Sequence, residues 1–272
     1  MARDANPHHP WLYVDGYNNA AVSIYDIGGA TAKKIGEITD GISEPAGMSV
    51  DHNGTLYVSS QAGNVQVYPA GATSPSLTLS QGLTYANDAV ADAAGNVFVA
   101  NSGGSAPSII VYPPGQTTPS KTFTSSVLGR PYGEAFDPQG NLYISDWDTG
   151  VCMISKASQT VTSLALEGGG QPAGIAFDDL DATLFVNYYY GDRTYKTLAY
   201  KSAPAPVRAL RGNVGGNGIT VGKIRNLTYV FIPDFYSDAV YVYQQKAKRV
   251  YGTIPTDVRG ANGIAFKPAG IP

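Results

Sequence analysis

The chain is a succession of short apolar runs broken by glycine-containing turns, and the runs return in a fixed order. The first complete unit reads Pro45-Ala46-Gly47-Met48-Ser49-Val50-Asp51-His52-Asn53-Gly54-Thr55-Leu56-Tyr57-Val58. It recurs from Ala86 to Val99 and from Pro131 to Ile144, then from Pro172 with one extra residue in its turn. The copies starting at Asn217 and Asn262 keep Asn-Gly-Ile. Counted from Gly47, the equivalent positions are Asp88, Gly133, Gly174, Gly218 and Gly263, at spacings of 41, 45, 41, 44 and 45 residues. Self-similarity at such a period is the mark of propellers and arrays.

Each unit supplies four strands. Strand a is short and apolar, as in Gly174-Ile175-Ala176-Phe177, and a glycine turn leads to strand b, as in Leu142-Tyr143-Ile144-Ser145. Strand c ends in a recurring tyrosine: Tyr25, Tyr68, Tyr112, Tyr200 and Tyr243, with Ser155 the exception. Strand d alternates with period two, as in Lys121-Thr122-Phe123-Thr124. No segment longer than a turn has helical periodicity. The last unit stops after its strand a at Phe266, while the chain opens with an orphan strand b, Trp11-Leu12-Tyr13-Val14, followed by strands c and d. C-terminal strand a and N-terminal strands b to d therefore complete one blade. The expectation is an all-β, six-bladed propeller of four antiparallel strands per blade, closed by that pairing, which leaves only short protected edges. It is a single domain over 1–272, with 1–10 as a tail.

Composition agrees. Gly and Pro number 32 and 18, too many for long helices; charged residues are 14% and Tyr alone accounts for 19 residues. The net charge of −3 comes without a basic run, which argues against a nucleic-acid partner. No apolar stretch approaches the ~20 residues of a membrane-spanning helix. Low lysine and an abundance of Gly, Ser, Thr and Tyr favour an extracytoplasmic protein, Met1 being read as an addition to a mature N-terminus; a monomer is expected. Cys152 is the one cysteine, so an intrachain disulfide is excluded.

The Pro-x-Gly-apolar segment, the Asp-x-x-Gly-x-Leu-Tyr-Val turn and the later apolar-Tyr resemble NHL repeats. Nearly the whole chain resembles six-bladed NHL-type propellers, the superfamily that includes senescence marker protein/gluconolactonase and strictosidine-synthase-like proteins. The resemblance implies the fold and a ligand site at the channel mouth, on the face of the d–a and b–c loops. Members of such folds serve as enzymes, ligand receptors and protein docking platforms.

The residue before the strand-a glycine approaches that mouth: Ala46, Asn87, Tyr132, Ala173, Asn217 and Asn262. In gluconolactonase-like relatives this level binds a divalent ion, and Asn87-Asp88-Ala89, Asn217-Gly218 and Asn262-Gly263 resemble the segments involved. Three neutral amides hold Ca²⁺ poorly without charged oxygens. No cofactor is therefore expected, the alternative being a divalent cation such as Ca²⁺ on Asn87, Asn217 and Asn262. The other reading of the row is that these amides cap d–a turns.

Glu134 stands where the other units carry Met48, Ala89, Ile175, Ile219 and Ile264. It is either a general acid or base with a raised pKa or a structural residue that pairs with nearby Arg130 or reaches a buried water. The b–c loops Asp146-Trp147-Asp148, Tyr188-Tyr189-Tyr190 and Asp234-Phe235-Tyr236 follow one another around the ring. They offer rings for stacking and carboxylates for hydroxyl groups. His8, His9 and His52 cannot meet there, which excludes a zinc site or a His-based triad. The candidate ligand set is Asn87, Asp88, Arg130, Tyr132, Asp146, Trp147, Asp148, Tyr188, Asn217, Asp234 and Asn262. The expected function is non-catalytic binding of a small molecule, glycan or protein at the mouth. The alternative is a lactonase-like or strictosidine-synthase-like enzyme using Glu134 or a weak metal site.

Overall fold

The computed structural model describes residues 6, 8–104, 106–202, 204–212 and 214–271. Its strands form six four-stranded antiparallel sheets, the blades of a closed propeller. Blade 1 joins the two ends of the chain: β24 (Ala261–Lys267) pairs with β1 (Trp11–Gly16), which pairs with β2 (Ala21–Asp26) and then β3 (Lys33–Ile38). Tyr13 faces Ala265 and Val14 faces Ile264 across the closing ladder. Blades 2 to 6 follow in chain order: β4–β7 over 45–79, β8–β11 over 86–123, β12–β15 over 131–163, β16–β19 over 171–209 and β20–β23 over 220–255. Of the expected tail, residues 1–5 and 7 lie outside the described residues, and His9 is held to blade 1 by Asp26 at 2.8 Å.

The period-two alternation works because a blade is buried on both faces. Leu12 and Val14 pack toward blade 6 with Phe231 and Val240, while Trp11 and Tyr13 pack toward blade 2 with Met48 and Leu56. Six such apolar clusters fill the six junctions between neighbouring blades. Each large side chain buried there is worth roughly 1.5–3 kcal/mol. The recurring tyrosines tie five of the six junctions with a hydrogen bond, the exception being that of blade 4, where Ser155 takes the place. Tyr68 donates to the Asp40 carbonyl, Tyr112 to that of Gln81, Tyr200 to that of Glu167 and Tyr243 to that of Arg211, while Tyr25 donates to the Asp257 carboxylate. Every acceptor belongs to the loop after strand d of the preceding blade.

The strand-a glycines have a steric cause. A Cβ on Gly47 would lie 2.4 Å from the Asn87 carbonyl oxygen, on Gly133 2.9 Å from that of Ala173, and on Gly174 2.4 Å from that of Asn217. Gly218 and Gly263 meet the Asn262 and Ala46 oxygens in the same way, at 2.7 and 2.8 Å. The residue ahead of each glycine thus presses its carbonyl against the preceding blade, closing the innermost ring. Register shifts fall at this point in β4, β8, β12 and β16, as expected of bulges that bend a strand around an axis. In blade 6, β20 begins only at Thr220, two residues after Gly218. A Gly174→Ala exchange should cost about 1–3 kcal/mol through overpacking, seen as a fall of several degrees in the melting temperature.

Candidate ligand-binding site at the channel mouth

On the face of the d–a and b–c loops the channel widens into a cavity of about 660 Å³. Its wall is aromatic and continuous. The ring centroids of Tyr132 and Trp147 lie 5.5 Å apart, those of Trp147 and Tyr189 5.5 Å at 25° between planes, and those of Tyr189 and Tyr195 5.0 Å. Tyr85, Phe235 and Tyr236 complete the lining, and Arg193 sits over the Tyr236 ring at 4.8 Å. Trp147 comes from the b–c loop of blade 4 and Phe235 and Tyr236 from that of blade 6, while Tyr189 ends strand b of blade 5 between them.

The acidic residues of these loops hold the loops in shape. Asp146, fully buried, accepts hydrogen bonds from the backbone N–H groups of Gly129, Arg130, Asp148 and Thr149. That one carboxylate therefore fixes both the loop carrying Arg130 and the turn carrying Trp147, and the Trp147 N–H bonds the Arg130 carbonyl at 2.9 Å. Asp234 accepts from the Tyr236 N–H and the Ser237 hydroxyl. In blade 3 the Asn101 side chain does the same for Thr84 and Tyr85. Such local bonding is what Asp and Asn do best at turns. Asp148 remains at the surface, 3.5 Å from the Arg130 Nε.

Tyr132 and Asn217 form the floor of the mouth, since both also line the constriction of about 30 Å³ below it. Asn217 donates to the Tyr132 oxygen at 2.9 Å and to the Asn262 side-chain oxygen at 2.7 Å. Burial, with the neighbouring Tyr85 and Tyr17, raises the Tyr132 pKa, so its hydroxyl keeps its proton. The asparagine row knits blades together instead of capping turns. Asn87 donates to the Pro131 carbonyl in blade 4 and to Ser102, and Asn262 donates to the Ala46 carbonyl in blade 2. The Asn87 side-chain oxygen is buried without a partner among the described residues. Among those residues no group of three or more His, Cys, Asp or Glu side chains is placed to hold a metal ion.

Of the residues expected at the mouth, Arg130, Tyr132, Trp147 and Asn217 line it together. Asn87 and Asp88 lie below, in the constriction. Tyr188 points elsewhere: it is buried against Leu184 and Tyr200 and accepts a hydrogen bond from the Tyr200 hydroxyl. Its neighbour Tyr189 takes the place in the wall, because alternate residues of β17 (Thr183–Tyr189) face opposite sides. Tyr85, Tyr189, Tyr195 and Tyr236 were not in the expected set. The signal available for them was strand parity, which turns on where each strand b ends.

Glu134 does not reach the mouth. It lies on the far side of the constriction, lining a second cavity of about 240 Å³ with Asp88 and Asp179. The expected pairing with Arg130 does not form, since Arg130 pairs with Asp148. Both Glu134 carboxyl oxygens are buried without hydrogen-bond partners among the described residues. Burial and then the Asp88 charge push its pKa well above the usual carboxylate range, offset only in part by the Ala100 amide. Two departures from the repeat meet here. Asp88 replaces the strand-a glycine, and its side chain, turned toward blade 4, accepts the Glu134 N–H at 2.9 Å. Burial likewise raises Asp88 to about 7, and Asp15, fully buried in blade 1, to about 7 as well.

These features define a six-bladed propeller with an aromatic mouth. No protein-family model matches the chain, and no curated protein matches it. Among solved structures it is similar to a chain in the crystal structure of a nidogen/laminin complex, with a TM-score of 0.78 and 16% identity over 96% of this chain and 99% of that one. It is also similar to the hydrazine synthase of Kuenenia stuttgartiensis, with a TM-score of 0.66 and 14% identity over 94% of this chain and 86% of that one. At these identities the likeness is one of fold.

Proposed function

We propose that this is a binding propeller of NHL-like type that holds a ring-bearing small molecule, free or as the end of a glycan, in the channel mouth without transforming it. The observation that carries this reading is the stacked wall Tyr132–Trp147–Tyr189–Tyr195 around a cavity of about 660 Å³. That volume suits a small ligand, and aromatic rings lining a cavity supply stacking area at little entropic cost. Among the described residues those lining the mouth include no carboxylate, histidine or cysteine, so the pocket they form offers no acid–base pair of these types. The reading calls for no metal. An extracytoplasmic setting is proposed on composition alone.

The protein has two tryptophans, and Trp11 is buried in blade 1, so fluorescence quenching by a ring compound reports on Trp147. A panel of methyl glycosides and aromatic amides is expected to contain members that quench it saturably. Trp147→Ala should weaken their binding, measured by calorimetry, by about tenfold, the upper range for a single aromatic contact. If no compound binds, or if the variant binds as the parent does, the mouth is not a small-molecule site. A protein that docks on the same rim in place of any small ring would then be the reading to take up, since a structural neighbour was solved in a nidogen/laminin complex.

A further inference from the structure

Resting on that reading of the mouth, we infer that the ligand carries a carboxylate beside its ring, received by Arg130 and the Tyr132 hydroxyl. The acidic loops suggested a site that accepts hydrogen bonds from hydroxyl groups. The structure takes two of the three acids out of the ligand's reach: Asp146 is buried under four backbone N–H groups, and Asp234 is taken up by Tyr236 and Ser237, while Asp148 stands at the surface beside Arg130 and outside the lining. What lines the cavity with a charge is Arg130 alone among the described residues.

Arg130 is poorly committed. Its side chain is 51% exposed, and its ion pair with Asp148 is a single 3.5 Å contact through Nε, to a carboxylate that is itself 43% exposed. Among the described residues its guanidinium makes no hydrogen bond of normal length, leaving a fork of donors suited to a carboxylate. The Tyr132 hydroxyl adds a directed donor. Its oxygen accepts from Asn217, so its own proton is free for an incoming acceptor, and burial keeps that proton in place. A guanidinium and a phenol that line one cavity with a stacked aromatic wall, the first close enough to act electrostatically on the second, fit an acid attached to a flat or pyranose ring. A neutral ring would stack but leave the guanidinium unanswered.

The chemistry has two sources, a sugar acid and an aromatic acid, and matched pairs separate them. Calorimetric titrations would compare methyl β-D-glucuronide with methyl β-D-glucoside, and phenylacetate with phenylacetamide, on the parent and on Arg130→Gln. In at least one pair the acid is expected to bind the parent ten- to a hundredfold tighter than its neutral partner, the range for a hydrogen-bonded charge. Arg130→Gln should bring that acid down to its partner's affinity while the neutral compound is unchanged, and added salt should weaken only the acid. The pair that responds names the source. Equal binding of acid and neutral compound in both pairs overturns the inference and leaves the mouth reading standing. Loss of both in the variant would mean that Arg130 holds the mouth's shape, which also overturns it. No binding by any of the four compounds, with an unresponsive Trp147, removes the mouth reading and the inference together.

Discussion

Deleting residues 262–272 should abolish cooperative folding. The deletion takes nearly all of β24, and with it the buried side chains of Asn262, Ile264, Ala265 and Lys267. It strips one of two ladder partners from β1, whose Leu12, Tyr13 and Val14 are almost wholly buried. It also breaks the inner ring at two places, because Gly218 packs on the Asn262 carbonyl and Gly263 on that of Ala46. A large apolar side chain removed from burial costs roughly 1.5–3 kcal/mol, and a domain has only about 5–15 kcal/mol in total. Losing one of six innermost strands exceeds that margin and leaves an open strand edge prone to association. The measurement is a thermal melt by circular dichroism, with a synthetic peptide of the deleted segment added back. A flat or aggregating melt, restored in part by the peptide, is expected; a truncated chain that melts like the parent would show that closure is not what holds the ring.

Stability should fall as pH rises from mildly acid to mildly alkaline. Asp15 and Asp88 titrate at about 7 in the folded protein, against values near 4 in an unfolded chain, and burial and the Asp88 charge raise Glu134 well above its usual value too. The folded state therefore holds protons that the unfolded state has released. Below pH 4 these groups are neutral in both states and cost nothing. Between about 4 and 7, Asp15 and Asp88 each lower stability by roughly 1.4 kcal/mol per pH unit until they ionise in the folded state as well, and Glu134 acts in the same direction. At the acid end the opposite group is Asp257. Partial burial pushes it up, but hydrogen bonds from Lys34, Tyr25 and Ser23 outweigh that and hold it at about 2. Its contribution is present above pH 4 and is lost as pH falls through 2. The melting temperature should peak near pH 4–5 and drop clearly by pH 8.

Glu134→Gln isolates one of these effects. Among the described residues neither Glu134 oxygen has a hydrogen-bond partner of good geometry, and an amide of the same shape keeps an oxygen for the Ala100 N–H. The variant should melt close to the parent at pH 4 and several degrees above it at pH 8. Because Glu134 lies below the constriction, binding at Trp147 should be unchanged. A parent more stable at pH 8 than at pH 4.5, with the variant following the same curve, would mean that these carboxyls ionise without penalty.

The repeat could be read from the chain because its causes are local or periodic. Period-two apolar runs, glycine turns and the tyrosine ending strand c are each a matter of a few residues, and equal spacing turns them into blades. Closure was legible too, since a final unit lacking strands b to d and an initial segment lacking strand a complete each other. The aromatic content of the b–c loops was also visible, as were Arg130, Tyr132, Trp147 and Asn217 at the mouth. Which ring of the Tyr188-Tyr189-Tyr190 run faces the cavity was not, because a shift of one residue in where β17 ends sends the side chain to the opposite side. The fate of the acids was equally hidden. An aspartate at the end of strand b looks the same in a sequence whether it meets a ligand or, like Asp146, four backbone N–H groups. Glu134 and Asp88 each stood out as a departure from the repeat, 46 residues apart. Only the packing of blade 3 against blade 4 joins them, on the side of the constriction away from the mouth. Local chemistry and period determined the ring, whereas side-chain direction and the pairing of distant polar groups depend on neighbours that only the closed ring supplies.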